Sequence, residues 1–281
     1  MSDMRMPAAI CTCCFRHCRI QQGQTGFCGA RGNMDGRVIS TNYGRLTSLA
    51  LDPIEKKPLA EFYPGSMILS CGSYGCNMNC PFCQNYSISQ ADSNMTRWTY
   101  VSPEQIADQA YELRSDGNIG VAYTYNEALT GWEFVRDTAK VVRERGMKNV
   151  IVTNGCFSED VLGAVLPYTD AFNIDLKGFT DDWYMRIGGS LEMVKRFIRK
   201  ACAGAHVEIT TLVIPGENDS RDEMEALSQW IADIDSSIPL HITRFFPMYR
   251  MTDRDATDVD TMKTLQSIAR SHLKSVYLGN L

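Results

Sequence analysis

Four cysteines lie within one short stretch of the chain, 71-CGSYGCNMNCPFCQNYSIS-89. Three of them, Cys76, Cys80 and Cys83, are spaced C-x3-C-x2-C. Thiolates on one loop can ligate three irons of a four-iron, four-sulfur cluster. The fourth iron then lacks a protein ligand, and an open coordination position is typical of a catalytic metal site. The spacing therefore predicts a [4Fe-4S] cluster whose free iron can bind a substrate or a cofactor.

The alternative for this stretch is a zinc site with Cys71 as the fourth ligand. The resulting spacing, C-x4-C-x3-C-x2-C, is unusual for zinc. We therefore expect Cys71 to be a packed thiol at the end of a strand. Cys156 and Cys202 stand alone in the sequence and are expected to act as small buried hydrophobic residues.

A second group of five cysteines lies near the N-terminus, in 11-CTCCFRHCRIQQGQTGFCGAR-31. Clustered thiols in a reducing compartment favour metal ligation over disulfides. His17 could replace one ligand, and Cys13 is spare. A closed structural zinc or iron site is favoured over an electron-relay cluster, because all four ligands are supplied. The predicted ligands are Cys11, Cys14, Cys18 and Cys28.

The elements that position these cysteines alternate between strands and helices from about residue 68 onward. This order predicts a parallel sheet with helices outside it, and seven strands suit an open or incomplete barrel. The predicted strands are 67-MILSC, 119-IGVAYTY, 148-KNVIVTN, 171-AFNIDLK, 206-HVEITTLVI, 239-PLHITRFF and 275-SVYLGN.

The helices between these strands have recognisable starts and apolar faces. Ser102 and Gln105 form a capping box around a proline at the first helical position, and Ser220 with Glu223 repeats the pattern. Gly146 is expected to end the second helix. Apolar residues recur at helical spacing in the sets Ile106, Ala110 and Leu113; Trp132, Val135, Ala139 and Val142; and Val194, Phe197, Ile198 and Ala201.

The 281 residues divide into two predicted parts. Residues 67–281 form the barrel, and an α/β barrel typically needs about 250 residues. Residues 1–66 form a small cysteine-rich extension, in which 37-RVISTNYGRLTSLALDPIEKKPL predicts short strands and turns. No low-complexity tract separates the two parts.

Polar residues follow several of the predicted strands. Because the carboxyl ends of parallel strands form one face of a barrel, these residues should converge with the cysteine loop. Carboxylates, amides and a lysine together could bind a zwitterion and a ribose. The residues are Asn126, Glu127, Thr153, Asn154, Asp175 and Lys177. Glu208, Thr210, His241 and Arg244 are candidates for the barrel interior, but strand alternation alone does not choose among them.

Composition excludes some function classes. The net charge of −5, without a basic cluster, argues against nucleic-acid binding. No stretch approaches the ~18 consecutive apolar residues of a membrane span. The N-terminus lacks the apolar core of a secretory signal. We expect a cytoplasmic protein.

The cysteine loop resembles the signature of the radical S-adenosylmethionine (SAM) superfamily, C-x3-C-x-aromatic-C, with Phe82 at the aromatic position. The resemblance covers about residues 68–281 and implies a partial (β/α)6-type TIM barrel. It also implies that the free iron chelates SAM and that one electron from the reduced cluster cleaves a C–S bond of SAM. The 5′-deoxyadenosyl radical formed in this way removes a hydrogen atom from a substrate.

The same resemblance implies roles for the polar strand ends. Phe82 would contact the adenine, and Asn126-Glu127 matches the place where relatives bind the methionine amino group. The two glycines usual before that glutamate are replaced here by Tyr125-Asn126. The remaining residues look like the ribose and carboxylate contacts of pyruvate formate-lyase activating enzymes. The implied cofactor-binding residues are Phe82, Asn126, Glu127, Thr153, Asn154, Asp175 and Lys177.

Longer stretches resemble the radical enzymes of the AmmeMemoRadiSam system, which are relatives of the activating enzymes. A further cysteine pair is expected after the last strand in such proteins and is absent from this sequence. The stretches that carry the resemblance are the N-terminal cysteine segment, 52-DPIEKKPL-59, CQNYSIS, YNEAL, DLKGF, TLVIPGEND and HITRFFP.

The function expected from residues and resemblance is reductive SAM cleavage followed by hydrogen abstraction. The substrate would be a glycine in a partner protein, as for activating enzymes, with a small molecule as the alternative. A flavodoxin or ferredoxin would supply the electron. The competing class, a non-catalytic iron–sulfur electron carrier, would need four ligands for its cluster and no cofactor pocket.

Overall fold

The computed structural model describes residues 8–281, which form fourteen strands and eight α-helices. The strands are β1 (Ala9–Ile10), β2 (Arg19–Ile20), β3 (Arg31–Met34), β4 (Arg37–Ser40), β5 (Arg45–Leu46), β6 (Ser48–Pro53), β7 (Met67–Gly72), β8 (Thr99–Tyr100), β9 (Asn118–Tyr123), β10 (Lys148–Thr153), β11 (Ala171–Asp175), β12 (His206–Val213), β13 (Leu240–Arg244) and β14 (Val276–Gly279). The helices are α1 (Tyr86–Ser89), α2 (Pro103–Glu112), α3 (Trp132–Glu144), α4 (Glu159–Val165), α5 (Asp181–Arg186), α6 (Leu191–Cys202), α7 (Arg221–Asp235) and α8 (Val259–Ala269).

Eight of the strands form one sheet in the order β14-β13-β12-β11-β10-β9-β7-β6. All neighbours pair in parallel except β6, which runs antiparallel to β7 at the edge. Each of the seven predicted strands is present. The sheet forms a partial barrel, as predicted, since its edge strands β6 and β14 do not pair with each other.

The helix starts follow the predicted capping residues, with one difference. Ser102 and Gln105 form both halves of a capping box at α2. At α7, Ser220 accepts from the backbone N–H of Glu223, but the Glu223 carboxylate instead accepts from the backbone N–H of Phe179. Gly146 adopts a left-handed conformation (φ 71°) directly after α3, where we expected it to end the helix.

Small side chains occupy one lateral layer of the sheet. The layer consists of Ser70, Ala122, Val150 and Ala171, which lie in register on adjacent strands. They leave room for Ile54, Leu59 and Phe62, which pack against Ala122, Val150 and Ala171. The segment 54–62, called here the plug, therefore fills this part of the barrel.

The N-terminal part of the chain is joined closely to the barrel. Strand β6 pairs with β7 over six residues, from Ser48 opposite Gly72 to Pro53 opposite Met67, and β5 pairs with β8. The predicted division between residues 66 and 67 lies directly before β7 and stays a prediction. The long central core lies between the sheet and the outer helices, where Val121, Ile151 and Phe172 are fully buried.

Candidate functional site

A cleft of about 730 Å³ opens at the carboxyl ends of the parallel strands. Every parallel strand contributes to its wall, either by its last residues or by the loop that follows it. The sequence-predicted residues therefore do converge, as expected for this face of a barrel. Those that line the cleft are Cys76, Cys80, Phe82, Cys83, Asn126, Glu127, Asn154, Asp175 and Lys177. Thr153 is buried behind this wall.

The loop after β7 carries Cys76, Cys80 and Cys83, and backbone contacts hold it on several sides. The N–H of Asn79 donates to the carbonyl of Ile187 at 3.0 Å, and the carbonyl of Pro81 accepts from Arg250 at 2.9 Å. The loop is thus fixed to two other loops of the same barrel face.

The other barrel cysteines lie outside this loop. Cys71 is buried within β7, opposite Tyr123 of β9, and does not line the cleft. It is a packed thiol at a strand end, as predicted. Cys156 is fully buried and Cys202 is half-buried at the end of α6.

The chemistry of the loop fits a cluster of iron and sulfur. Burial raises the pKa of Cys80 to about 12 and places the pKa of Cys76 well above its usual value. A bound metal reverses this preference, because a coordinating thiol is deprotonated. Within residues 8–281, there is no group of three or more cysteine, histidine or acidic side chains already arranged to ligate a metal ion. Ligation by these thiols therefore requires their side chains to rotate toward a common centre.

Glu127 is the most enclosed carboxylate of the cleft wall. It accepts hydrogen bonds from the Thr153 hydroxyl (2.8 Å), from the backbone N–H of Asn154 (2.8 Å) and from that of Leu129 (3.1 Å). Burial nevertheless raises the pKa of Glu127 to about 7. This carboxylate connects the end of β9 to the end of β10, so it shapes the cleft whether or not it also touches a ligand.

The two asparagines of the wall support the cysteine loop. Asn126 accepts from the backbone N–H of Ser73 (2.9 Å) and donates to the carbonyl of Gly75 (3.1 Å). Asn154 donates to the side-chain oxygen of Asn77 at 2.8 Å and lies 3.8 Å from the sulfur of Cys76. Both amides therefore orient the loop from the ends of β9 and β10.

Asp175 and Lys177 form an ion pair of 2.8 Å at the end of β11. Burial lowers the pKa of Lys177, but the Asp175 carboxylate and the nearby Cys80 outweigh it, so this pKa lies above its usual range. The backbone of Lys177 is held by Tyr184 and Trp183, and Trp183 stacks on Phe82 with ring centroids 5.9 Å apart. The cleft thus presents a fixed cation, a carboxylate and an aromatic ring beside the cysteines.

The structure shows which of the four candidates for the barrel interior line the cleft. Thr210 and His241 line the cleft. Glu208 is fully buried behind them, and its carboxylate contacts the rings of His241 (2.6 Å) and His206 (2.9 Å). Arg244 points elsewhere, since its Nε donates to the carbonyl of Thr257.

Sequence reasoning missed two parts of the wall, the plug and the C-terminal strand. Both are remote in sequence from the cysteine loop, and the cleft is lined there by Pro53, Glu55, Lys56, Pro58, Ala60, Tyr277, Leu278, Gly279 and Asn280. The plug also supplies the backbone N–H groups of Ala60 and Glu61, which donate to Glu208 at 2.9 Å each. The unusual run 52-DPIEKKPL-59 was the available signal, although its contact with Glu208 joins segments far apart in sequence.

The N-terminal cysteines lie around a separate small cavity next to the cysteine loop. All five of them line it, together with Arg31 and Asn77. His17 is exposed and lies outside its wall.

Comparison with known proteins decides the family. A family model described as the radical SAM superfamily matches residues 71–230, which is more than half of the chain and includes the whole cysteine loop. The chain belongs to the radical SAM superfamily. It is therefore an enzyme of the radical SAM class, and membership implies an iron–sulfur cluster and SAM as cofactors.

Individual relatives agree with this assignment. An uncharacterized protein of Methanocaldococcus jannaschii is 39% identical over 96% of this chain and 81% of its own length. The pyruvate formate-lyase-activating enzyme of Clostridium pasteurianum is 26% identical over 71% of this chain and 89% of its own length. Among solved structures, Streptococcus suis SuiB bound to precursor peptide SuiA has the same fold, with a TM-score of 0.58 at 11% identity over 74% of this chain and 47% of SuiB.

Among residues 8–281, no helix has the length and apolar character needed to cross a bilayer.

Proposed function

We propose that this radical SAM enzyme binds a [4Fe-4S] cluster through Cys76, Cys80 and Cys83 and cleaves SAM reductively. The 5′-deoxyadenosyl radical would then abstract a hydrogen atom from a glycine of a partner protein. One observation carries the proposal: three thiols of a single loop face a cleft whose wall also holds a fixed cation, a carboxylate and an aromatic ring. The cluster, when bound, supplies the electron for SAM cleavage.

The wall residues suit the parts of SAM. Phe82 is 5% exposed and its ring, backed by Trp183, offers an apolar surface for an adenine. Lys177 can pair with the methionine carboxylate, and Asp175 can accept from an ammonium group or a ribose hydroxyl. Asp175 is the more exposed partner of that pair, at 31% against 17%, so it is available to a ligand without losing Lys177.

The chain itself would orient the cofactor and keep water away. The plug packs inside the barrel and also forms part of the cleft wall, so it fills space that water would otherwise occupy. A volume of about 730 Å³ lies within the range of about 300–1,000 Å³ typical of ligand pockets. Enclosure of this kind protects reactive intermediates from side reactions.

Two observations support a protein as the substrate. A relative covering most of this chain is named as an activating enzyme for pyruvate formate-lyase. In addition, exposed apolar side chains lie near the cysteine loop, including Tyr86 stacked on Tyr249, and Phe246 and Met248. Aromatic residues and methionine are enriched at protein interfaces. A flavodoxin or ferredoxin would deliver the electron, and the compartment would be the cytoplasm.

A second candidate is a radical reaction on a small polar molecule. The observation that favours it is the polar deep end of the cleft, where Thr210, His241 and Tyr277 line the wall and Glu208 fixes the His241 ring at 2.6 Å. Such a group of donors and acceptors could hold a polar metabolite.

Deuterium transfer separates the two candidates. An extract of cells grown on glycine deuterated at its α-carbon is separated by dialysis into a protein fraction and a small-molecule fraction. Each fraction is then incubated separately with the reconstituted enzyme, SAM and a reductant. Deuterium in 5′-deoxyadenosine from the protein fraction supports the glycine substrate. Label from the small-molecule fraction alone overturns it in favour of the second candidate, and extract from cells grown on deuterated alanine is the control.

A further inference from the structure

The five N-terminal cysteines surround one cavity of about 10 Å³. We propose that this cavity binds a single metal ion, with zinc as the expected metal, through the thiolates of Cys11, Cys14, Cys18 and Cys28. The site is separate from the radical SAM cluster and closes the N-terminal segment onto the loop that holds that cluster.

The four proposed ligands come from two adjacent loops. Cys11 and Cys18 flank the loop of the β1–β2 hairpin, where the N–H of Cys11 donates to the carbonyl of Cys18 at 3.0 Å. Cys14 lies in that hairpin loop, and Cys28 lies in the next one. Gly26 permits a close approach here, because a Cβ at this position would lie 3.2 Å from Cδ1 of Ile20 and 3.3 Å from the Cβ of Cys18. The two loops bring all four cysteines to the wall of one cavity, and ligation requires their side chains to rotate toward a common centre.

The thiols are close enough to influence one another electrostatically. Cys14 interacts with Cys11 and Cys18, while Cys28 interacts with Cys14 and Cys11. The thiol of Cys13 contacts that of Cys11, and its carbonyl accepts from the backbone N–H of Ser158 at 2.8 Å. Cys13 therefore lies beside the four ligands and supports one of them.

The small cavity and the number of ligands favour a single ion. A volume of about 10 Å³ is close to the space that one water molecule needs. Zinc prefers a closed tetrahedral set of four thiolates in structural sites.

Two buried N–H groups point to anionic sulfur in this cavity. Arg31 pairs with Glu133 through Nη1 at 2.6 Å, and its side chain is only 6% exposed. Among residues 8–281, the Nε of Arg31 and the indole N–H of Trp132 are buried without a hydrogen-bond partner. Yet Arg31 interacts with both Cys11 and Cys13, and Trp132 with Cys13. Of these groups, the Arg31 cation lies beside the proposed ligand Cys11 and would stabilise the negative charge that four thiolates leave on a metal site.

The proposed site lies directly against the radical SAM loop. Asn77, which follows Cys76, lines the cavity and interacts with Cys14. Arg16, between Cys14 and Cys18, donates to the carbonyls of Asn77 (2.7 Å) and Gly188 (2.9 Å). The metal would therefore hold the N-terminal segment as a rigid brace behind the cluster loop.

Metal analysis of a chain without the first cluster tests the proposal independently of SAM cleavage. The full-length variant Cys76→Ala/Cys80→Ala/Cys83→Ala is produced with zinc in the medium, and zinc, iron and sulfide are measured per chain. We expect about one zinc per chain and no sulfide. Zinc below about one tenth of the chains, or retained iron with sulfide, would overturn the single-ion site.

Ligand identity is tested in the same background. Cys14→Ser/Cys18→Ser should lose the zinc, whereas Cys202→Ser is the matched control and should keep it. Cys13→Ser should also keep the zinc. Loss of zinc in Cys13→Ser, together with retention of zinc in Cys28→Ser, would contradict the ligand set. Because a ligand variant can fail to fold, cobalt is also exchanged into the cluster-free protein. The intense sulfur-to-cobalt charge-transfer bands of a tetrahedral thiolate site are expected, and their absence would argue against four thiolates.

Discussion

The carboxylate of Glu127 accepts a hydrogen bond from the hydroxyl of Thr153 at 2.8 Å and joins two strand ends of the cleft wall. Both residues are almost fully buried. The same carboxylate also accepts the backbone N–H of Asn154, whose side chain supports the cysteine loop. The shape of the cleft thus depends on a carboxylate whose donors come from the protein itself.

Replacing that carboxylate should destabilise the protein. In Glu127→Gln, an amide nitrogen replaces one acceptor oxygen, so at least one buried donor loses its partner. We expect a loss of about 1–3 kcal/mol in the free energy of unfolding. Urea denaturation of the cluster-free protein measures it. Glu159→Gln, at an exposed position on α4, is the matched control and should be within about 0.5 kcal/mol of the unmodified protein. An equally stable Glu127→Gln would show that the three bonds are unimportant.

The lowered pKa of Glu208 makes the free energy of unfolding depend on pH. Burial raises its pKa, but hydrogen bonds from His206, His241 and the plug backbone lower it to about 2, against an ordinary value of 4.5. The folded state therefore binds fewer protons than the unfolded state between these values. The stabilisation, about 3 kcal/mol by this difference, is fully present above pH 4.5 and is lost as the pH falls toward 2.

Acid titration of the free energy of unfolding tests the contribution of Glu208. Glu208→Gln should flatten the decline between pH 4.5 and 2 while lowering stability at neutral pH. Glu225→Gln is the matched control, since Glu225 contacts His272 at the surface and is 56% exposed. An unchanged acid decline in Glu208→Gln would assign that decline to other carboxylates.

The ion pair of Asp175 and Lys177 should govern SAM affinity. Lys177→Met removes the cation proposed to face the methionine carboxylate, so we expect the Kd of SAM to rise by about tenfold or more, equivalent to about 1.4 kcal/mol. Equilibrium binding to the reconstituted protein measures it at equal iron content. Lys148→Met is the control, because Lys148 pairs with Asp170 near the amino end of the sheet. Equal affinities in both variants would remove Lys177 from the cofactor site.

The brace behind the cluster loop gives a further prediction. Arg16→Met removes two hydrogen bonds to the carbonyls of Asn77 and Gly188. We expect iron to be lost several-fold faster to a chelator, because the loop becomes less restrained, with zinc retained. Arg19→Met, at an exposed position of β2, should leave the rate unchanged. Equal rates of iron loss would mean that the N-terminal segment does not restrain the loop.

The sequence predicts the strands well because their apolar runs alternate with helical patterns over most of the chain. The sequence predicts short strands and turns in residues 37–59, but not the partner of β6 or the position of the plug, since these depend on pairing with β7 and on the small residues Ala122 and Ala171 inside the barrel. Helices α4 and α5 are also short, and their local signals are weak.

Only part of the cleft could be predicted from the sequence. The cysteine loop and the polar strand ends could be predicted, because topology alone brings them to one face. Their individual partners could not, since the contacts of Glu127 and Glu208 join segments far apart in sequence. Thr153 illustrates this, because its hydroxyl is directed to Glu127 and it does not line the cleft.

Comparing reductive SAM cleavage by the unmodified protein and by two single cysteine variants tests the proposed chemistry most directly. The unmodified protein, Cys80→Ala and Cys71→Ala are reconstituted anaerobically with iron and sulfide and given dithionite and SAM. The unmodified protein and Cys71→Ala should both form 5′-deoxyadenosine, whereas Cys80→Ala should form none. Absence of 5′-deoxyadenosine from an unmodified protein with an intact cluster would contradict the function. Loss of the cluster in Cys71→Ala as complete as in Cys80→Ala would contradict the ligand set.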